Sequence, residues 1–130
     1  MEAALRPSPD VVRVLIADDE PLFVEMVDAL LTTEGIEVVG RAQDGREAIT
    51  KTLALAPDVT LMDISMPILD GIEATRHIRE RVPDARVLVL TGSSISADID
   101  RARQAGVAAF LTKDRLGTQL VNAILEVGGP

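Results

Sequence analysis

The chain has no cysteine, which excludes disulfide frameworks, thiolate metal sites and thiol nucleophiles and agrees with a reducing compartment. Tryptophan and tyrosine are also absent, and the whole aromatic complement is Phe23 and Phe110. That leaves no platform on which nucleic-acid bases could stack. Basic side chains are the minority, 13 against 21 acidic ones, for a formal charge of −8. Such a chain is not built to grip nucleic acid or an anionic membrane by charge. His77 is the only imidazole, so a histidine-rich zinc centre is not expected. No apolar run approaches the roughly 18 residues that span a bilayer, and residues 1–10 lack the basic start and apolar stretch of a signal peptide. The expectation is a soluble, cytoplasmic protein with no membrane partner and no direct hold on nucleic acid.

What is present fits one domain of ordinary size: 130 residues, 47% of them apolar. Residues 1–10 have no period and read as a flexible tail. Residues 11–127 read as the folded domain, and 128–130 as the start of a linker. Within the domain, Val11–Ala17 is a nearly continuous apolar run rich in β-branched residues, the pattern of a strand covered on both faces. Similar runs follow at Glu37–Ala42, Val59–Met62, Arg86–Leu90 and Val107–Leu111. Helical periods lie between them. Phe23, Val27, Leu30 and Leu31 form one stripe, stopped by Gly35, and two further helices open on Asp44 and Asp70, each with Glu three residues on. A fourth helix over 96–105 and a fifth over 116–127 complete the alternation. Five strands alternating with five helices predict a doubly wound α/β domain with a parallel sheet, and the flavodoxin-like order 2-1-3-4-5 fits by analogy.

In such sheets chemistry sits beyond the carboxyl ends of the strands. Asp18 and Asp19 follow the first strand, Asp63 the third, Thr91 the fourth and Lys113 the fifth; the second contributes nothing comparable. Two unit charges about 4 Å apart interact by roughly 4 kcal/mol at an effective dielectric near 20. Three gathered carboxylates therefore need compensation: either one is protonated or a cation sits among them. A hard dication with oxygen ligands, Mg²⁺, is the natural occupant. Carboxylate, hydroxyl, ammonium and metal make a coherent phosphoryl-transfer site, with Asp63 as nucleophile and Ser93 and Ser94 as nearby donors.

Asp18-Asp19-Glu20, the run from Met62 to Gly71 (MDISMPILDG), Leu90-Thr91-Gly92 and Phe110-Leu111-Thr112-Lys113 together resemble the receiver domain of bacterial two-component response regulators over about residues 11–127. Within that family the chain resembles the branch whose members carry a LuxR-like C-terminal helix-turn-helix domain. The resemblance implies that Asp63 accepts a phosphoryl group from a phosphohistidine of a sensor histidine kinase. It implies that Asp19, Asp63 and the main-chain carbonyl of Ser65 ligate Mg²⁺, with Asp18 acting through water. Thr91 and Lys113 would contact the phosphoryl oxygens, and Thr91 and Phe110 would form the switch. That switch would alter the surface of the fourth helix, fifth strand and fifth helix, favour a homodimer on phosphorylation, and control transcription through a DNA-binding domain outside this chain. The domain would promote only its own phosphorylation and dephosphorylation. Where the family commonly has proline after the lysine, this chain has Asp114, so a trans bond is expected there.

Plainer readings stand beside these. Asp18 and Asp19 could serve as caps for the first helix, Asp70 reads as a structural cap, His77 as a solvated helix residue, and Phe110 as either core or switch. Leu22, Met26 and Ala29 form an apolar ridge beside the acidic mouth, suited to a kinase, and Val121 and Leu125 are expected as a second exposed pair. A flavin mononucleotide module would need small and hydroxylic residues where this chain has Asp-Asp-Glu-Pro. An aspartyl-phosphate hydrolase would carry its Asp-x-Asp after the first strand, not the third. A pseudo-receiver acting only as an interaction surface would not need the complete acidic, hydroxyl and ammonium set.

Overall fold

The computed structural model describes residues 11–92 and 96–129. Strands and helices alternate strictly: β1 (Arg13–Ala17), α1 (Pro21–Thr33), β2 (Glu37–Ala42), α2 (Gly45–Leu55), β3 (Val59–Asp63), α3 (Gly71–Arg81), β4 (Val87–Thr91), α4 (Ser96–Ala105), β5 (Ala109–Thr112) and α5 (Thr118–Gly128). The strands form one parallel sheet in the order β2-β1-β3-β4-β5, so β1 and β3 flank the point where the order reverses.

The apolar runs are continuous because helices cover both faces of the sheet, and the period of two divides each strand between them. Val14, Ile16, Val59, Leu61, Leu88 and Leu90 pack with α1 and α5, whereas Ala17, Met62, Val87 and Val89 pack with α2, α3 and α4. β5 lies at an edge and is only half-buried along its length. The two Asx caps form as the sequence predicts: Asp44 accepts the Glu47 amide at 2.8 Å, and Asp70 accepts the Glu73 amide at 2.9 Å.

Several boundaries move. β1 opens at Arg13 rather than Val11, where the Arg13 amide donates to Asp58 Oδ2 at 2.8 Å and starts the pairing with the β3 side. β5 opens at Ala109 rather than Val107, because Gly106 turns through a positive φ of 86° to end α4. α5 begins at Thr118, since Gly117 with φ 74° breaks the helical path from Leu116, and it runs to Gly128. β3 extends one residue past its predicted end, and β4 shifts by one, opening at Val87 instead of Arg86 and closing at Thr91, so Asp63 and Thr91 are the last rungs of their strands rather than loop residues. The expected exposed pair on the fifth helix does not form: Leu125 is 45% exposed, but Val121 is only 8% exposed and joins the core beneath α1 and α5. The peptide after Lys113 is trans, as are all bonds among the described residues.

Candidate functional site

At the carboxyl ends of β1 and β3, carboxylate oxygens of Asp18, Asp19 and Asp63 all lie within 4.8 Å of one another. Asp18 and Asp63 are each 4% exposed, while Asp19 is open to solvent. The sheet sets this convergence, because the ladder places β1 directly beside β3. None of the three is spent on capping α1. That helix starts on Pro21 with Glu20 at its cap and no side-chain capping bond. Asp18 Oδ1 instead accepts the Glu20 amide at 2.9 Å, fixing the loop ahead of the helix.

Lys113, one residue past β5, brings its ammonium to this rim. Its Nζ lies 2.9 Å from Asp18 Oδ2, 3.1 Å from Glu20 Oε1 and 3.5 Å from Asp63 Oδ1. It also stands 4.2 Å from the centre of the Phe23 ring, within range for cation–π attraction. Burial works against the ammonium, but the close carboxylates of Asp18, Asp63 and Glu20 outweigh that, so the Lys113 pKa lies above the ordinary lysine value. Asp63 moves the other way relative to its charged form. Burial first, and then the charge of Asp18, push its pKa up from 3.8 to about 6 despite the opposing pull of Lys113.

One ammonium does not satisfy this cluster. Asp18 Oδ2 is buried and accepts no directed hydrogen bond, although Lys113 Nζ stands close to it. An all-oxygen donor set with a buried, under-satisfied carboxylate oxygen fits a hard cation.

The remaining predicted residues are not all brought to this rim. Thr91 is buried at the end of β4, and its carbonyl accepts the Lys113 amide at 2.7 Å, which ties the fourth and fifth strand ends together. Ser65 is exposed, two residues beyond Asp63 in a loop held by Ile64 N–H to Leu90 O at 3.2 Å and Gly71 N–H to Ile64 O at 2.9 Å. Phe110 lies lower on β5. It is half-buried against the α2–α3–α4 side of the core and lines a cavity of about 340 Å³ with Ile99 and Arg115. Ser93 and Ser94 fall outside the described residues. Asp70 is a cap that also pairs with Arg101 at 3.2 Å, away from the metal-type cluster.

Comparison with known proteins decides the family. Residues 14–125 match the family described as the response regulator receiver domain. The chain belongs to that family. The receiver is 40% identical over 121 residues to the probable transcriptional regulatory protein NarL of Mycobacterium tuberculosis, covering 92% of this chain and 56% of that protein. It is 36% identical over 115 residues to the chemotaxis protein CheY of Thermotoga maritima, covering 88% of this chain and 96% of that one. Among solved structures, the NarL receiver domain from M. tuberculosis superposes with a TM-score of 0.86 at 39% identity, covering 91% of this chain and 96% of that one. The receiver therefore spans about half the length of the transcriptional regulators it matches, and nearly all of a CheY. The predicted fold and strand order hold, and so does the likeness to LuxR-type regulators: one such regulator from Aurantimonas matches at TM-score 0.86 and 36% identity, covering 90% of this chain and 84% of that one. The protein is a receiver domain of two-component response regulators, whose phosphoryl-acceptor role suits this acidic rim. Among the described residues, no helix is long and apolar enough to cross a membrane.

Sequence reasoning missed four contributors. Glu20 was legible only as part of the acidic motif, and Phe23 only as part of the helical core stripe; nothing in a single sequence links either to position 113. Gly45 and Gly71 read as helix-start residues. In the fold, a Cβ at Gly71 would lie 2.0 Å from the Asp63 carbonyl oxygen, and one at Gly45 would lie 2.0 Å from the Leu69 carbonyl oxygen. These two glycines let α3 and α2 close on the strand end and loop that carry the site.

Proposed function

We propose that Asp63 is the phosphoacceptor of this receiver, taking the phosphoryl group from a phosphohistidine of a sensor histidine kinase in a Mg²⁺-dependent reaction. The observation that carries this reading is the Asp63 carboxylate at the end of β3, with Asp18 and Asp19 within 4.8 Å and the Lys113 ammonium 3.5 Å away. Asp19, Asp63 and the main-chain carbonyl of Ser65 are the groups that would hold Mg²⁺ directly, with Asp18 acting through water. The metal, when bound, supplies Lewis-acid neutralisation of charge on the phosphoryl oxygens.

With its pKa near 6, Asp63 is ionised at neutral pH and presents an oxygen nucleophile. Attack of that oxygen on phosphorus forms an O–P bond as the N–P bond to the donor imidazole breaks. The imidazole nitrogen keeps the electron pair and takes up a proton. Lys113 and the Thr91 hydroxyl hold the phosphoryl oxygens. Water later cleaves the acyl phosphate to return the Asp63 carboxylate and inorganic phosphate, so the domain promotes only its own phosphorylation and dephosphorylation.

Two exposed apolar side chains at the start of α1, Leu22 and Met26, adjoin the acidic rim and suit the kinase helices. Phosphorylation then biases Thr91 and Phe110 and with them the α4–β5–α5 surface, where a second copy of the chain would pair. A DNA-binding domain outside residues 1–130, as in LuxR-type relatives, would convert this into transcriptional control in the cytoplasm.

Acetyl phosphate with Mg²⁺ tests the core of the proposal. Intact-mass spectrometry is expected to show a gain of one phosphoryl group, lost in EDTA and in Asp63→Asn. An equal gain in Asp63→Asn would overturn the assignment.

A further inference from the structure

Away from the acidic rim, α2 and α3 together are net positive in a chain whose formal charge is −8. Between these helices and the β3–α3 loop lies a cleft of about 330 Å³, lined by Arg46, Arg81, His77, Thr50 and the apolar Ile49, Ile68 and Leu69. Arg46 and Arg81 have no ion-pair partner among the described residues, although neighbouring cations do: Lys51 holds Glu47 at 3.1 Å and Arg76 holds Glu73 at 3.7 Å. Among the described residues, the cleft's His77 Nδ1 lies 3.8 Å from Glu80 Oε1. The two guanidinium groups are therefore left available on a net-positive face of a chain that is acidic as a whole.

Ile68 supplies an independent observation. It is 73% exposed and adopts φ 71°, in the left-handed region that β-branched residues rarely occupy. Its exposed side chain adds little burial, and its backbone is strained where asparagine or glycine would sit easily. Nothing in the fold itself requires isoleucine here. Strain at an exposed apolar residue is the outlier from which a contact with a partner is inferred.

We infer that the α2–α3 cleft is a docking site for an acidic segment of a protein partner, which places an apolar side chain on Ile68 and carboxylates against Arg46 and Arg81. Arginine suits this role because its planar fork can engage a carboxylate with two parallel hydrogen bonds. The mixed lining argues against a small anion alone, since the apolar floor formed by Ile49 and Leu69 would then go unused. The site is separate from the kinase ridge on α1 and from the α4–β5–α5 surface.

The test is an NMR titration of the ¹⁵N-labelled chain with a capped synthetic pentapeptide carrying leucine between two pairs of acidic residues. Saturable shifts are expected at the amides of Arg46, Ile68, Leu69 and Arg81. A matched peptide with glutamine for each acid is expected to bind about tenfold more weakly, as is the double variant Arg46→Gln, Arg81→Gln toward the acidic peptide. Ile68→Asn is expected to weaken the peptide about fivefold while leaving Tm unchanged or raised. Absence of saturable shifts at the cleft overturns the proposal, as does equal binding of the neutral peptide. Inorganic phosphate competing as well as the peptide would make this a free-anion site, and the same shifts on concentrating the protein alone would make it a self-contact; both reject an acidic partner segment. A fall in Tm of more than about 3 °C in Ile68→Asn would make Ile68 a structural residue and remove the reason for the site.

Discussion

Ionising Asp63 costs the metal-free fold, because the folded state binds its proton more tightly than the unfolded chain does. Its pKa is raised from 3.8 to about 6 by burial and by Asp18. Folding therefore takes up a proton between those values. The stability this group contributes is fully present below pH 3.8, declines as pH rises, and is gone above about pH 6. Replacing Asp63 by asparagine removes the penalty but also the attraction to Lys113. Asp63→Asn in EDTA at pH 7.5 is expected to be more stable than the parent by about 1–3 kcal/mol, with the gap closing below pH 4. Urea denaturation at both pH values checks this; a less stable variant at pH 7.5 would mean that the ion pair with Lys113 outweighs the burial of charge. At this scale the gathering of Asp63, Asp18, Asp19 and Lys113 at one rim was legible, because each stands where a β-run stops and the topology determines what lies beyond. Phe23 and Glu20 were not. Their role depends on the rotamer of one lysine, which crosses from the end of β5 to the start of α1.

Elements were legible in kind and order but not at their ends. Runs such as Val59–Met62 and Arg86–Leu90 identify strands through their β-branched and aliphatic content. Whether Asp63 or Thr91 closes the ladder depends on hydrogen bonds from neighbouring strands, which no local pattern carries. Val121 shows the same limit: its helical spacing with Leu125 suggested a common face, yet the position of α5 against α1 buries one and leaves the other out. The start of α3 is the element on which the site most depends. Gly71 backs directly onto the Asp63 carbonyl, with Met62 Cγ only 2.8 Å from where a Cβ would stand, and the clash at 2.0 Å is with backbone that has nowhere to go. Gly71→Ala is expected to cost about 2–4 kcal/mol in thermal or urea unfolding and to slow the phosphorylation proposed for Asp63 by shifting the end of β3. Gly92→Ala is the matched control, since a Cβ there would meet nothing within 4 Å among the described residues; it is expected to stay within about 0.5 kcal/mol. Equal effects from the two substitutions would mean that chain flexibility, and not close approach, is what glycine provides at Gly71.

For the molecule as a whole, acidity is concentrated rather than uniform. The formal charge is −8, yet α2 and α3 together are net positive, and four carboxylates, Asp18, Asp19, Asp63 and Glu20, meet around the single ammonium of Lys113. A dication bound there relieves repulsion that the folded state has gathered and the unfolded chain has not, so binding must raise stability. For a site half-filled near 1 mM, raising free Mg²⁺ to 10 mM should stabilise the fold by about 1.4 kcal/mol, or roughly 5 °C in Tm for a domain of this size. General screening would also help an acidic protein, but NaCl at the same ionic strength acts on all surface charges alike and should give a much smaller shift. Asp19→Asn removes an exposed carboxylate that no hydrogen bond among the described residues uses, so it should fold as well as the parent and lose most of the Mg²⁺ increment. Scanning calorimetry of parent and variant in EDTA, Mg²⁺ and matched NaCl separates these contributions. If NaCl reproduces the Mg²⁺ shift, or if Asp19→Asn keeps it, the stabilisation is diffuse screening and the carboxylate rim holds no specific ion.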